Sequence, residues 1–142
     1  VEPSSINVVP GGVTLWVDVR GVNNESIART LEAIKAEANA VAENDGVAIE
    51  FEMLTADKPV ALSEELAKKA EAICEAEGID YLHMNSGAGH DAMHMAKLAP
   101  TTMIFIPCKE GISHNPAEFA KLEDICRAVE VLAKLLESEA NE

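Results

Sequence analysis

Four histidines, His83, His90, His94 and His114, fall within 32 residues, and the chain has no others. His90 and His94 are four apart, so a helix running through Asp91 would bring both imidazoles to one face, a spacing that zinc sites use. Asp91 and His114 could complete a set of three or four ligands. Against that reading, the His-x-x-x-His pair lacks a neighbouring Glu base, and Met93 and Met95 suggest a segment that packs inward. A self-contained zinc site is therefore the weaker reading. Just upstream, Ser86-Gly87-Ala88-Gly89 could form an anion nest, since glycines let successive N–H groups converge on one negative oxygen. It has neither the Lys of a Walker loop nor a full dinucleotide fingerprint, so a carboxylate fits better than a nucleotide. Ser86, His90 and Asp91 lack the spacing of a nucleophile elbow, which argues against a serine hydrolase. A second polar loop, Gly111-Ile112-Ser113-His114-Asn115-Pro116-Ala117-Glu118, follows the apolar run Met103-Ile104-Phe105-Ile106.

These loops need elements to hold them. Residues 4–20 read as a β-hairpin turning at Pro10-Gly11-Gly12, with Val13, Leu15, Val17 and Val19 on one side and Thr14, Trp16, Asp18 and Arg20 on the other. Arg20 is on this pattern a surface charge or a partner of Asp18. Asn23 or Asn24 caps a helix whose stripe is Ile27, Leu31, Ile34, Ala38 and Val41, ending at Asn44-Asp45-Gly46. Val47, Ile49, Phe51 and Met53 alternate as a strand. Ser63 caps a second helix with Leu66, Ala70, Ile73 and Cys74 buried, closed by Gly78. Short strands follow at Ile79–Met84 and Thr101–Ile106, separated by a short helix over Asp91–Leu98. A last helix ends near Ser138, with Leu122, Ile125, Val129, Leu132 and Leu136 as its apolar face. This order predicts an α/β fold: an α+β unit over residues 1–55, a linker over 56–62, and an α/β unit over 63–142.

Composition narrows the function. A formal net charge of −14 argues against nucleic-acid and anionic-membrane partners, which it would repel. Cys74, Cys108 and Cys126 are odd in number and contain no Cys-x-x-Cys pair, so buried, reduced thiols and a cytoplasmic location are expected. No apolar run approaches the length of a membrane span. The chain begins Val1-Glu2-Pro3 rather than with Met, which suggests a fragment or a processed product.

Ser86-Gly87-Ala88-Gly89-His90-Asp91-Ala92-Met93, Met103-Ile104-Phe105-Ile106-Pro107-Cys108 and Gly111-Ile112-Ser113-His114-Asn115-Pro116-Ala117-Glu118 closely resemble the N-carbamoyl-L-amino-acid hydrolases and allantoate amidohydrolases. That group includes β-ureidopropionase-type enzymes and falls within the aminoacylase and carboxypeptidase G-like superfamily of dinuclear metal hydrolases. Ile6-Asn7-Val8-Val9-Pro10-Gly11 and Val17-Asp18-Val19-Arg20 resemble two upstream motifs of the same family, and the order agrees along nearly the whole chain. The resemblance implies that His114 is a metal ligand and that Arg20 grips a substrate carboxylate, a task suited to its guanidinium fork. It implies that Asn7 holds the same substrate and that Gly89 donates a backbone N–H to it. His90 is implied to contact the ureido end or to orient the catalytic site. His83 and His94 match no family role, and Asn115 and Glu118 are expected to hold the loop.

The implied activity is hydrolysis of a C–N bond in an N-carbamoyl-L-amino acid, allantoate or a related ureido acid, with Zn, Mn, Co or Ni as the divalent cofactor. The proton-moving glutamate and the remaining ligands of that family are expected upstream of residue 1, so the chain alone is expected to be inactive, with metal absent or incomplete. The implied domains are the second half of a lid or dimerisation domain and the C-terminal part of a catalytic domain. A homodimer is expected, because a truncated sheet leaves an unpaired strand edge. Two alternatives stand beside this: a non-catalytic oligomerisation or metal-binding module from a truncated gene, and aminoacylase or peptidase chemistry in the parent enzyme.

Overall fold

The computed structural model describes residues 1–141. It has two compact units, Val1–Pro59 and Val60–Glu142, and the division falls inside the stretch 56–62.

In the first unit, helix α1 spans Asn24–Asp45. Its start is set by Asn23, whose side-chain oxygen accepts the Ser26 N–H at 2.9 Å and so satisfies one of the free amides of the first turn. Gly46 ends it in the left-handed conformation, at φ 67°, where a side chain would be strained. Ile27, Leu31, Ile34, Ala38 and Ala42 form its half-buried stripe, while Val41 is exposed.

In the second unit, α2 spans Glu64–Glu77 and α4 spans Leu122–Ala140, with a single turn, α3, at Ala92–Met95 between them. The Ser63 hydroxyl accepts the Leu66 N–H at the start of α2, and Glu64 and Glu65 put negative charge in the first turn, where the helix dipole favours it. At its end Gly78 turns left-handed and the Ile79 N–H reaches back to the Cys74 carbonyl at 2.9 Å. Helices α2 and α4 run antiparallel, as the cross-links Lys69–Glu139 (2.6 Å) and Lys134–Glu77 require. Cys74 (8% exposed), Val131 (3%) and Leu135 (5%) are the buried residues of the whole described chain, all on these two helices.

The α/β expectation is not met. Among the described residues there is no strand, and the one β-bridge joins Glu2 to Gly12. That bridge replaces the hairpin: the Glu2 N–H donates to the Gly12 carbonyl (2.8 Å) and the Gly11 and Gly12 amides return to the Glu2 carbonyl, closing a ring of residues 2–12. Residues 13–20 and 47–53 make no backbone ladder, and neither face of the first is covered, with Leu15 and Trp16 both 80% exposed. The cause is that an alternating sequence only creates two faces. A strand persists when neighbours take its N–H and C=O groups and a layer covers one face, and the described residues supply neither. Residues 79–84 and 101–106 fail to pair for the same reason, although the Thr101 carbonyl accepts the Ser63 N–H at 2.8 Å.

The packed face of α4 also differs from the expected one. Leu122, Ile125, Val129, Leu132 and Leu136 are 39–73% exposed, while Ala128, Val131 and Leu135, the stripe one residue round, turn inward. Of the three cysteines expected to be buried, Cys74 is buried, Cys108 is half-buried and Cys126 is exposed. No helix among the described residues is long and apolar enough to cross a membrane.

Leu135→Ala should therefore lower unfolding stability of the second unit by about 2–4 kcal/mol, because it opens a cavity in a seam with few other buried side chains. Leu132→Ala, on the exposed stripe, should cost less than about 1 kcal/mol. Urea unfolding of the two variants separates these faces, and equal losses would contradict the observed packing.

Candidate functional site

An open pocket of about 410 Å³ in the second unit is lined by His90, Ile104, Phe105, Ile106, Cys108, Ser113, His114 and Glu118. Three segments build it: the loop before α3, the apolar stretch 104–108, and the loop 111–118.

The last of these loops is closed by its own backbone. The Lys109 N–H donates to the Phe119 carbonyl at 2.8 Å, after which a short 3-10 turn, Lys109–Gly111, reverses the chain. His114 sits at φ 55°, in the left-handed region that a residue with a side chain seldom adopts. The Glu118 carboxylate accepts the His114 N–H at 2.8 Å, and the Asn115 side chain accepts the Ala117 N–H at 2.9 Å. These two bonds over-determine the strained residue, a pattern typical of functional loops.

On the opposite wall, the His90 ring meets Phe105 edge to face, with centroids 5.7 Å apart and planes at 64°. His90 Nε2 lies 3.0 Å from the Ser86 hydroxyl, which also accepts the Ala88 N–H (3.1 Å) and lies 3.0 Å from the Ala88 carbonyl.

The structure thus brings His90 and His114 into one pocket. Gly89 adjoins it, and its N–H makes no hydrogen bond among the described residues. Residues 86–89 do not form the nest expected of them, because left-handed glycines occur at 46, 78 and 111 and the Ala88 N–H is taken by Ser86. His94 does not share a helix face with His90, since α3 begins at Ala92, after His90, and His94 points to solvent. His83 pairs through Nδ1 with Glu71 of α2 at 2.5 Å, away from the pocket lining. Glu118 and Asn115 hold the loop as the resemblance implied, while the Ser86 contact with His90 was not singled out, its one signal being its position four residues before His90.

Asn7 and Arg20 belong to the first unit. Asn7 accepts a long hydrogen bond, 3.4 Å, from the Ser5 hydroxyl. Arg20 is clasped by Asp18, with Nε 2.8 Å and Nη2 2.5 Å from Oδ2. The guanidinium beside it holds the Asp18 carboxyl below its ordinary value of 3.8, chiefly through these hydrogen bonds. A substrate carboxylate would compete with Asp18 for that fork.

A divalent metal is implied by the resemblance, but the residues present do not fit one. No group of three or more His, Cys, Asp or Glu side chains among the described residues could hold an ion, and the Glu118 oxygen near His114 is already used by the His114 amide.

Comparison with known proteins supplies the frame for this site. Residues 2–138 match the model for peptidase family M20/M25/M40. The chain belongs to that family, in its hydantoinase/carbamoylase and allantoate amidohydrolase branch. It is 42% identical over 139 residues to an uncharacterised hydrolase of Haemophilus influenzae, covering 98% of this chain and 34% of that protein. It is 36% identical to the allantoate amidohydrolase of Escherichia coli (95% of this chain, 33% of that protein). To an N-carbamoyl-L-amino-acid amidohydrolase of Rhizobium meliloti it is 38% identical (92% and 32%). The chain therefore spans about a third of the length of these relatives. Among solved structures, an amidase of the hydantoinase/carbamoylase family from Burkholderia multivorans superposes with a TM-score of 0.82 at 33% identity, over 86% of this chain and 30% of that one. AtUAH in complex with glyoxylate gives 0.73 at 30% identity, over 84% and 29%.

Two outcomes test the local geometry. Asp18 should titrate below 3.8 by carboxyl NMR and return towards that value in Arg20→Gln. Because its folded value is depressed, the stabilisation it brings is present above the ordinary value and lost as the pH falls through the lowered one. Glu118→Ala should speed exchange of the His114 amide about tenfold, the effect of losing one charge-assisted hydrogen bond. Unchanged exchange would show that the bond does not hold the loop.

Proposed function

We propose that the chain forms part of an amidohydrolase that cleaves the C–N bond of N-carbamoyl-L-amino acids, allantoate or related ureido acids. The observation that carries this is the convergence of His90 and His114 on one pocket, in a chain whose family includes enzymes with those names. In this reading His90 contacts the ureido end of the substrate. Gly89 offers its N–H to a substrate carboxylate, and Arg20 and Asn7, in the first unit, are taken as substrate-binding residues on the family resemblance alone. Asp18 takes the Nε and Nη2 edge of Arg20, so an acid binding at that edge replaces one carboxylate with another and must match the fork.

His114 would supply one ligand to a divalent ion, Zn, Mn, Co or Ni, whose other ligands are not among these residues. No step is derived through that ion. What this chain's residues do is bind and orient. The left-handed backbone at His114, fixed by Glu118, sets where its imidazole stands, and Phe105 packs edge to face on the His90 ring. The first unit is proposed as the second half of a lid or dimerisation domain and the second as the C-terminal part of a catalytic domain, in a cytoplasmic homodimer. The exposed apolar side chains of α4 support association.

The test is metal content with activity, on this chain and on a polypeptide extended to the relatives' full length. The extended protein should carry about two metals and release ammonia or a decarbamoylated amino acid from a ureido acid. His114→Ala in it should lose metal and at least about a hundredfold in rate. The short chain should be inert. Stoichiometric metal on the short chain, lost with His90, His94 and His114 together, would favour a local metal-binding module instead.

A further inference from the structure

We propose that Ser86 is a positioning residue that fixes the tautomer of His90, so that Nδ1 is the bare acceptor offered to the N–H groups of a bound ligand. The inference comes from the hydrogen-bond capacity of one hydroxyl. Ser86 Oγ carries a single proton and two lone pairs, and it has three partners within 3.1 Å: the Ala88 N–H, the Ala88 carbonyl and His90 Nε2. The Ala88 N–H can only donate, so it takes one lone pair.

Two arrangements remain. If the hydroxyl donates to His90 Nε2, then Ser86 Oγ faces the Ala88 carbonyl oxygen at 3.0 Å with no proton between two acceptors. If it donates to the Ala88 carbonyl, the second lone pair accepts Nε2–H of His90, and all three contacts are satisfied. The second arrangement alone leaves no repulsive pair, and the half-buried position of Ser86 and His90 makes an unmet polar contact costly. Neutral His90 is therefore protonated at Nε2 and bare at Nδ1. A half-turn of the ring about Cβ–Cγ would keep the Phe105 packing but put Cε1 in place of Nε2 against Ser86 Oγ, so the hydrogen bond selects the observed orientation.

The ligand consequence rests on the reading given under Proposed function. An acceptor nitrogen in this pocket selects a ligand end that bears N–H donors, as a ureido or primary amide group does, and disfavours a carboxylate end there.

The experiment is long-range proton–nitrogen NMR of the His90 ring in the labelled chain at about pH 8.5, where an ordinary imidazole is neutral. The wild-type protein should show predominantly Nε2–H. Ser86→Thr, which keeps the hydroxyl, should show the same. Ser86→Ala should move the tautomer ratio about fivefold or more towards Nδ1–H, the change expected when one hydrogen bond is lost. A wild-type ring protonated mainly at Nδ1 overturns the proposal, and that reading needs no variant to fold. An unchanged ratio in Ser86→Ala overturns it as well. Addition of an N-carbamoyl amino acid should then shift Nδ1 more than Nε2. A correct tautomer with no ligand response leaves the role of Ser86 standing and counts instead against the ureido reading of the pocket.

Discussion

Nearly everything ordered in the second unit depends on the seam between α2 and α4. Its buried side chains are few, Cys74, Val131 and Leu135, and the desolvated Cys74 thiol is pushed up as a result. Lys69–Glu139 and Lys134–Glu77 lie at opposite ends of the seam and fix its direction, though exposed pairs of this kind add little stability. The seam fixes the start of α2, and the Ser63 N–H there holds the Thr101 carbonyl. That tether anchors the stretch running to Phe105 and Ile106, which forms one wall of the pocket.

Beyond that tether, the site is held by local hydrogen bonds in place of a sheet. Lys109 and Phe119 close the loop, Glu118 and Asn115 fix its interior, and Ser86 ties the glycine loop to His90. Glu118 and Asn115 satisfy backbone amides a few residues away, Ser86 meets the His90 ring four residues on, and the Phe119 carbonyl closes a loop of about ten residues, contacts that form without long-range closure. Local bonds of this kind keep the geometry of His114 and His90 in a chain that covers a third of its relatives' length. They do not supply a coordination sphere, because they bring no three His, Cys, Asp or Glu side chains of the described residues together.

The helices were legible because their signals are local. Asn23 and Ser63 accept amides from their own first turns, and Gly46 and Gly78 relieve the strain of the left-handed residue that ends each helix. Both candidate loops were legible for a similar reason: histidine density and Gly/Pro boundaries are properties of short windows. The strands were not. Alternation at 13–19 and 47–53 encodes two faces, but whether anything covers them is a question about other segments.

On α4 the strict three–four spacing of Leu122, Ile125, Val129, Leu132 and Leu136 gave a clear apolar face, yet the helix packs on Val131 and Leu135. Two adjacent stripes are apolar enough to bury, and only the position of α2 chooses between them. By itself the sequence determined the three long helices, the caps that start and end α1 and α2, and the family, because these depend on neighbours along the chain. The tertiary structure alone decided which apolar face is covered, and that His90 and His114 share a pocket while His83 and His94 stand outside its lining. Those outcomes rest on which groups meet in space, and burial and hydrogen bonding act only between groups that have met.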